Sequence, residues 1–317
     1  MSVDTHDVPA PAPAAKDART IGAAGKARQK REVNFLAGLG HVALVVWALL
    51  VLLPILWTFL AAFKTGPEIF GDAWTLPKAL HLDNFARAWT KAHIGTYLIN
   101  SVIVVALSTF GTMLFGSMAA YVLARYKFVG NRLIYYLFVA GLAFPVFLAL
   151  TPLFLVVRNS GTLPVIGPWI GLNTRGGLIL VYIAYSLPFT IFFLAAFFKS
   201  LPDSIAEAAI VDGASHTRLF FRVMLPMARS GIISITIFNI LGQWNQYQLP
   251  LVLLQGEGAQ DKWVITQGIR NISISAGYES DWPALFAALT LAILPMLVMY
   301  GIFQRQIQAG LTAGALK

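Results

Sequence analysis

Any chemistry in this chain must come from amides, carboxylates and aromatic rings, because it contains no cysteine. That removes disulfides, thiolate metal sites and cysteine nucleophiles together. His6, His41, His81, His93 and His216 are dispersed, without metal-ligand spacing, and no nucleophile stands with a base in a recognisable constellation. Gly25-Lys26 lacks the upstream glycine of a phosphate-binding loop, so the chain does not cradle ATP by that route. The reading is a non-catalytic protein that binds no metal and no cofactor of its own. Two stretches nevertheless carry informative residue types. The first is KSLPDSIAEAAIVDGASHTRLFFRVMLPMARS, residues 199–230. Ser204 and Glu207 form the S-x-x-E pattern of a capping box, which satisfies free N–H groups at a helix start. Gly213 suits the left-handed position that ends such a helix. Ser215 then caps a second short helix with an apolar stripe of Leu219, Phe220, Val223 and Met224, stopped by Pro226. A pair of short helices showing apolar side chains lies on lipid or docks in the groove of a soluble partner. The second stretch sets Asn239, Gln243, Trp244, Asn245, Gln246, Tyr247 and Gln248 inside an apolar run. Buried amides need partners. Those partners are neighbouring helices, water or a transported substrate; on a sugar, the C–H face would stack on Trp244 or Tyr247.

The elements that position these residues are membrane helices. The chain is 57% hydrophobic and 12% charged, with a mean hydropathy of +0.70; an ordinary soluble domain is about 25% charged. Six runs free of Lys, Arg, Asp and Glu lie near 36–62, 97–124, 133–157, 177–198, 231–254 and 283–303. Each is long enough to cross the hydrocarbon core, and a helix is the form that satisfies its own backbone there. Residues 1–35, rich in Ala, Pro and charge, read as a disordered cytosolic tail touching anionic lipid, and no cleavable signal is expected. The rest, 36–317, is one six-span domain. Of the 23 Lys and Arg, 15 fall in 1–35, 125–132, 199–230 and 304–317. The positive-inside rule therefore puts both termini, and the 199–230 loop between the fourth and fifth spans, in the cytosol. Arg125, Lys127 and Arg132 are the densest of these charges. The net charge of +9 is thus topogenic; no basic stripe with interleaved aromatics suggests nucleic acid. Pro54, Pro145, Pro188 and Pro295 permit kinks, and Gly116 with Ala120 lets a neighbouring helix approach closely. The spans hold no Asp, Glu, Lys or Arg, which counts against an ion-coupled carrier.

Glu207-Ala208-Ala209, then Asp212-Gly213-Ala214, then Leu225-Pro226 resembles the EAA loop of ABC importer permeases. Ser186-Leu187-Pro188-Phe189, Trp244-Asn245 with Tyr247, and Pro250-Leu251 are similar to the carbohydrate branch of that binding-protein-dependent family. The ending, Gly310 to Lys317, resembles the tail of the smaller permease subunit of the maltose transporter. The likeness spans about 36–317. It departs at Ala228-Arg229-Ser230, where the family often has a proline, and at Gln246, where it often has an acidic residue.

The resemblance implies a permease of the bacterial inner membrane that forms half of a sugar pathway. It implies a second, homologous permease, two ATP-binding cassette subunits carrying the ATP and Mg2+, and an extracytoplasmic sugar-binding protein. Glu207, Ala208, Ala209, Asp212, Gly213, Ala214, Leu225 and Pro226 would then form the surface that docks on the ATPase. An importer of another solute, such as amino acids or polyamines, shares the same loop.

Overall fold

The computed structural model describes residues 15–315 apart from Asp72, Glu257 and Ser280, with side chains from 37 to 307 apart from 72, 257 and 278–280. The described residues are helical and contain no strand. In chain order the helices are α1 (Ala15–Ala61), α2 (Gly66–Gly71), α3 (Asp83–Thr90), α4 (Ile94–Arg125), α5 (Asn131–Ala143), α6 (Val146–Ser160), α7 (Gly167–Ile170), α8 (Arg175–Ser200), α9 (Asp203–Val211), α10 (His216–Met227), α11 (Arg229–Trp244), α12 (Gln248–Leu253), α13 (Ile265–Glu279) and α14 (Trp282–Ala315). Contacts divide the chain into two units, Met1–Trp57 and Thr58–Lys317.

In the first unit, α1 exposes apolar side chains on every face: Leu49, Leu50, Val51, Leu52 and Leu53 are all in the open. A helix apolar all round belongs in a bilayer. Within the 1–35 tail the backbone is helical from Ala15. The reason lies in the residues: Ala, Lys, Arg and Gln are strong helix formers, and the prolines stop at Pro13. Residues 1–14 of that tail lie outside the described part.

Four helices are long and apolar enough to cross a membrane unbroken: Ala37–Ala61, Ile94–Arg125, Arg175–Ser200 and Trp282–Ile307. Two bent pairs raise the number to six if each is one span. The run 133–157, expected as one span, is instead α5 and α6 at 110° to each other. Pro145 causes the break: it pushes the preceding Phe144 out of the helical region, to φ −82° and ψ 118°. The other pair, α10 and α11, bends by 79° at Ala228. The run 231–254 is also divided, because α11 ends at Trp244 and α12 starts at Gln248.

The centre of the second unit is α4 packed along α8. Gly116 makes that approach possible: a Cβ there would lie 2.6 Å from Thr190 Cγ2. One apolar cluster joins α3, α4, α13 and α14 around Ile94, Tyr97, Ile265, Ile272 and Ala288. A second joins the ends of α4 and α8 to α10 around Tyr121, Phe198, Phe220 and Met224. Residues 255–282, expected as a loop, contain α13. Its signal was present: Ile265, Ile272 and Ala276 are buried and Ile269 half-buried, at helical spacing.

Candidate functional site

The segment after α8 folds into the two short helices that its sequence announced. Leu201 and Pro202 are extended, and α9 begins at Asp203 with Pro202 in the cap position, φ −61° and ψ 135°. No side chain caps it, so the expected Ser204–Glu207 box does not form. The helix starts two residues earlier than that box requires, with Pro202 and not Ser204 in the cap position, which leaves Ser204 inside the first turn. The start is held from outside. Arg125, the last residue of α4, pairs with the Asp203 carboxylate, and its Nη2 donates to the Leu201 carbonyl at 2.6 Å.

The end of α9 follows a Schellman motif. Gly213 N–H donates to Ile210 O at 2.9 Å and Ala214 N–H to Ala209 O at 3.0 Å. Gly213 has φ +81°, which an L side chain adopts only with strain. Ser215 Oγ then accepts from Arg218 N–H and opens α10, as expected. The stripe expected on show is hidden instead: Leu219, Phe220 and Met224 are buried. Phe220 lies 5.1 Å from Tyr121 and 6.3 Å from Phe198, ring centre to ring centre. These apolar side chains are consumed by the body of the protein. Tyr126 Oη meets His216 Nδ1 at 2.9 Å and ties the α4 end to the α10 start. Leu225 is half-buried and Pro226 exposed in the last turn of α10.

What remains outward is α9. Ala206 and Ala209 face the second cluster, while Ser204, Glu207, Ala208 and Val211 are exposed, Val211 to 86%. Asp212 and Gly213 are exposed beside them, and Ala214 is half-buried. Glu207 has no hydrogen bond or ion pair among the described residues. This is a small, firmly mounted ridge, apolar with a free carboxylate.

The polar stretch separates into two kinds. Asn239 and Gln243 are buried between helices. Asn239 Nδ2 donates to Thr190 Oγ1 at 2.8 Å. Gln243 Oε1 accepts from Ser108 Oγ at 2.6 Å and Thr109 Oγ1 at 2.9 Å, and its Nε2 donates to Ser186 Oγ at 3.0 Å. These two amides lace α11 to α4 and α8. This is the interhelical bonding that stood as the alternative to a pathway role for them. Trp244, Asn245 and Tyr247 lie where the span breaks. They border a cavity of about 440 Å3 with Thr266, Ile269 and Met296. Trp244 also faces a second, apolar cavity of about 470 Å3 beside Thr109 and Met113. The Gln246 carbonyl accepts from Thr266 Oγ1 at 2.9 Å, its side chain accepts from Gln248 N–H, and Gln248 is exposed. Thr266 escaped sequence reasoning because it lies on the unforeseen α13. Arg125 was noticed only as a topogenic charge.

Three comparisons bear on these regions. Residues 112–312 match the family described as binding-protein-dependent transport system inner membrane component. The chain is 48% identical over 281 residues, 89% of each protein, to the diacetylchitobiose uptake system permease protein NgcG of Streptomyces coelicolor. It is 33% identical over 266 residues, 84% of this chain and 92% of the relative, to the trehalose transport system permease protein SugB of Mycobacterium tuberculosis. Among solved structures, a bacterial ABC transporter that imports the acidic polysaccharide alginate aligns with a TM-score of 0.73 at 21% identity, over 87% of this chain and 97% of the other.

Proposed function

The chain belongs to the family of binding-protein-dependent transport system inner membrane components, and from that premise we propose that it forms half of the membrane pathway of an ATP-driven sugar importer, driven through α9. It is a multi-pass protein of the cytoplasmic membrane. The sugar assignment draws on the relatives, whose names specify diacetylchitobiose and trehalose uptake.

The observation that carries the coupling role is the mounting of α9. The side chains of its outward residues Glu207, Ala208, Val211 and Asp212 are exposed, and those of Glu207 and Asp212 make no hydrogen bond or ion pair among the described residues. Its inward residues, the Arg125 pairing and the buried α10 stripe bind it to the ends of α4 and α8. A force applied to α9 is therefore passed to two long spans instead of being absorbed in a loop. This suits a helix seated in the groove of an ATPase, and two such ATPases, carrying ATP and Mg2+, would serve this subunit and a homologous second permease. The exposed Glu207 suits a basic side chain on that partner. This chain has no phosphate-binding loop, so its role is mechanical.

The excess of Lys and Arg in 1–35, 125–132, 199–230 and 304–317 supports six spans with cytosolic termini, counting α5–α6 as one span and α11 as the fifth. A sugar delivered by an extracytoplasmic binding protein would enter from the face bearing α3, α12 and α13. Alternating access then follows as the α9 mount swings with the ATPases.

Purification from the native membrane tests the reading. An ATPase and a second permease should accompany the chain, and hydrolysis should rise with one sugar and its binding protein. Stimulation by an amino acid or polyamine would replace the sugar assignment, and a chain that brings no ATPase would end the coupling proposal.

A further inference from the structure

A groove of about 480 Å3 runs between the end of α4 and the start of α10. Its floor is made of two rings that join these helices: Tyr121 and Phe220 are buried, with ring centres 5.1 Å apart. Its walls are apolar and open, since Met118, Val122, Phe128 and Phe221 are 41–43% exposed. Its polar side chains stand at the α4 terminus. Lys127 follows the last turn of α4, is exposed, and makes no hydrogen bond or ion pair among the described residues. His216 is tied to that terminus by the Tyr126 hydroxyl at 2.9 Å. No carboxylate lines the groove, and the exposed Arg218 and Arg222 continue the basic character along α10.

An apolar trough with a cation at one end has the profile of a phospholipid, chain first and phosphate last. The trough is continued along the span: Leu107, Phe115, Met118 and Val122 are exposed on one face of α4, leading from the hydrocarbon towards Lys127. Beyond Lys127, Phe128 and the fully exposed Val129 lie between the charges of Lys127 and Arg132, the mixture that suits a membrane surface. In the topology proposed above this end meets the cytosolic leaflet, where basic groups between helices attract anionic headgroups. Resting on that topology, and not on the coupling role of α9, we propose that this groove binds one anionic phospholipid of the cytosolic leaflet. Its acyl chain lies against Met118, Val122 and Phe221, and its phosphate meets Lys127. Filling the groove over Tyr121 and Phe220 closes the joint between α4 and α10 and stiffens the start of α10.

The test uses the chain purified with the subunits that accompany it, in vesicles of phosphatidylcholine with or without phosphatidylglycerol. The probe is phosphatidylglycerol carrying a photoactivatable diazirine in its acyl chain, and the matching phosphatidylcholine probe is the control. The phosphatidylglycerol probe should label 115–128 and 216–221, and unlabelled phosphatidylglycerol should displace it where phosphatidylcholine does not. Lys127→Gln should lower that labelling about fivefold, the weight of one basic charge at an anionic surface, and Lys127→Arg should keep it. Val122→Trp, which fills the groove and leaves the charge in place, should lower it as well. Hydrogen exchange in 216–227 should slow when phosphatidylglycerol is present, and less so in both weakened variants. Equal labelling by the two probes means unselective lipid only, and label confined to other segments, or a groove crosslinked to a companion subunit, means a different occupant; each overturns the inference. Neither readout needs transport. A complex that imports no sugar but labels selectively here ends the importer reading alone, and one that imports sugar without selective labelling ends this inference alone.

Discussion

Arg125 and Asp203 are 78 residues apart in the chain and are joined at the point where α4 ends and α9 begins. The two halves of this junction differ in worth. Asp203 is 81% exposed, so the ion pair is screened and contributes at most about 1 kcal/mol. Arg125 is only 11% exposed, and its bond to the Leu201 carbonyl is charge-assisted and sheltered, about 1.5–3 kcal/mol. Asp203→Asn should therefore leave transport close to normal. Arg125→Gln should lower transported sugar per ATP hydrolysed several-fold while the protein still inserts. Paired uptake and ATPase assays in vesicles read that ratio; a fall in both by the same factor would mean lost assembly instead.

At Gly213 no heavy atom lies within 4 Å of an added Cβ, so substitution meets no clash. The cost comes from φ +81° alone, about 1–2 kcal/mol for an ordinary residue and less for Asn. Gly213→Val should reduce transport and Gly213→Asn retain most of it, with equal amounts of both in the membrane. Equal transport by the two variants would show that the turn is not held in this conformation during work.

Gln243 serves three hydroxyls of α4 and α8 at once. Gln243→Leu leaves them to find other partners, at about 0.6–2 kcal/mol per bond inside a membrane. Thermal unfolding in detergent should shift downward by several degrees, with the apparent KM for sugar unchanged. A changed KM without a stability loss would return Gln243 to the pathway.

Outside the spans, two carboxylates are held below their ordinary range. Glu68 accepts from the Thr65 N–H, and Asp83 accepts from the Arg87 guanidinium. A depressed carboxylate stabilises the fold above its unfolded value, about pH 4, and loses that contribution as pH falls through the lower folded value. Hydrogen exchange across 65–91 should therefore be unchanged from about pH 7 to 5 and quicken, relative to the rest of the chain, below about pH 4. Protection that persists at about pH 2 would contradict this.

Much of the architecture was legible along the chain. Unbroken apolar runs marked the long spans. The EAA pattern marked α9, with its Gly213 turn and Ser215 cap, because a Schellman ending and a hydroxyl cap are local devices with local signatures. The bend at Pro145 was signalled by a proline, but its 110° amplitude was not. The α10 stripe was read correctly as apolar and wrongly as exposed: periodicity states which residues share a face, not what covers it. The Arg87–Asp281 pairing, Nε to Oδ2 at 3.0 Å across 194 residues, left no trace that one sequence displays.

The amides of the fifth span separate what each level decides. By itself the sequence determined that Asn239, Gln243 and Asn245 sit in an apolar helix and must be satisfied, since hydrogen-bonding capacity belongs to the residue. Which of them is satisfied by protein was decided only in three dimensions. The hydroxyls of Ser108, Thr109, Ser186 and Thr190 come from two other helices and reach Asn239 and Gln243. Asn245, past the end of α11, gives its Nδ2 to the Leu241 carbonyl of its own helix and borders a cavity. A partner supplied from about 50 to 135 residues away is a property of packing, and packing is a relation between segments that no local pattern contains.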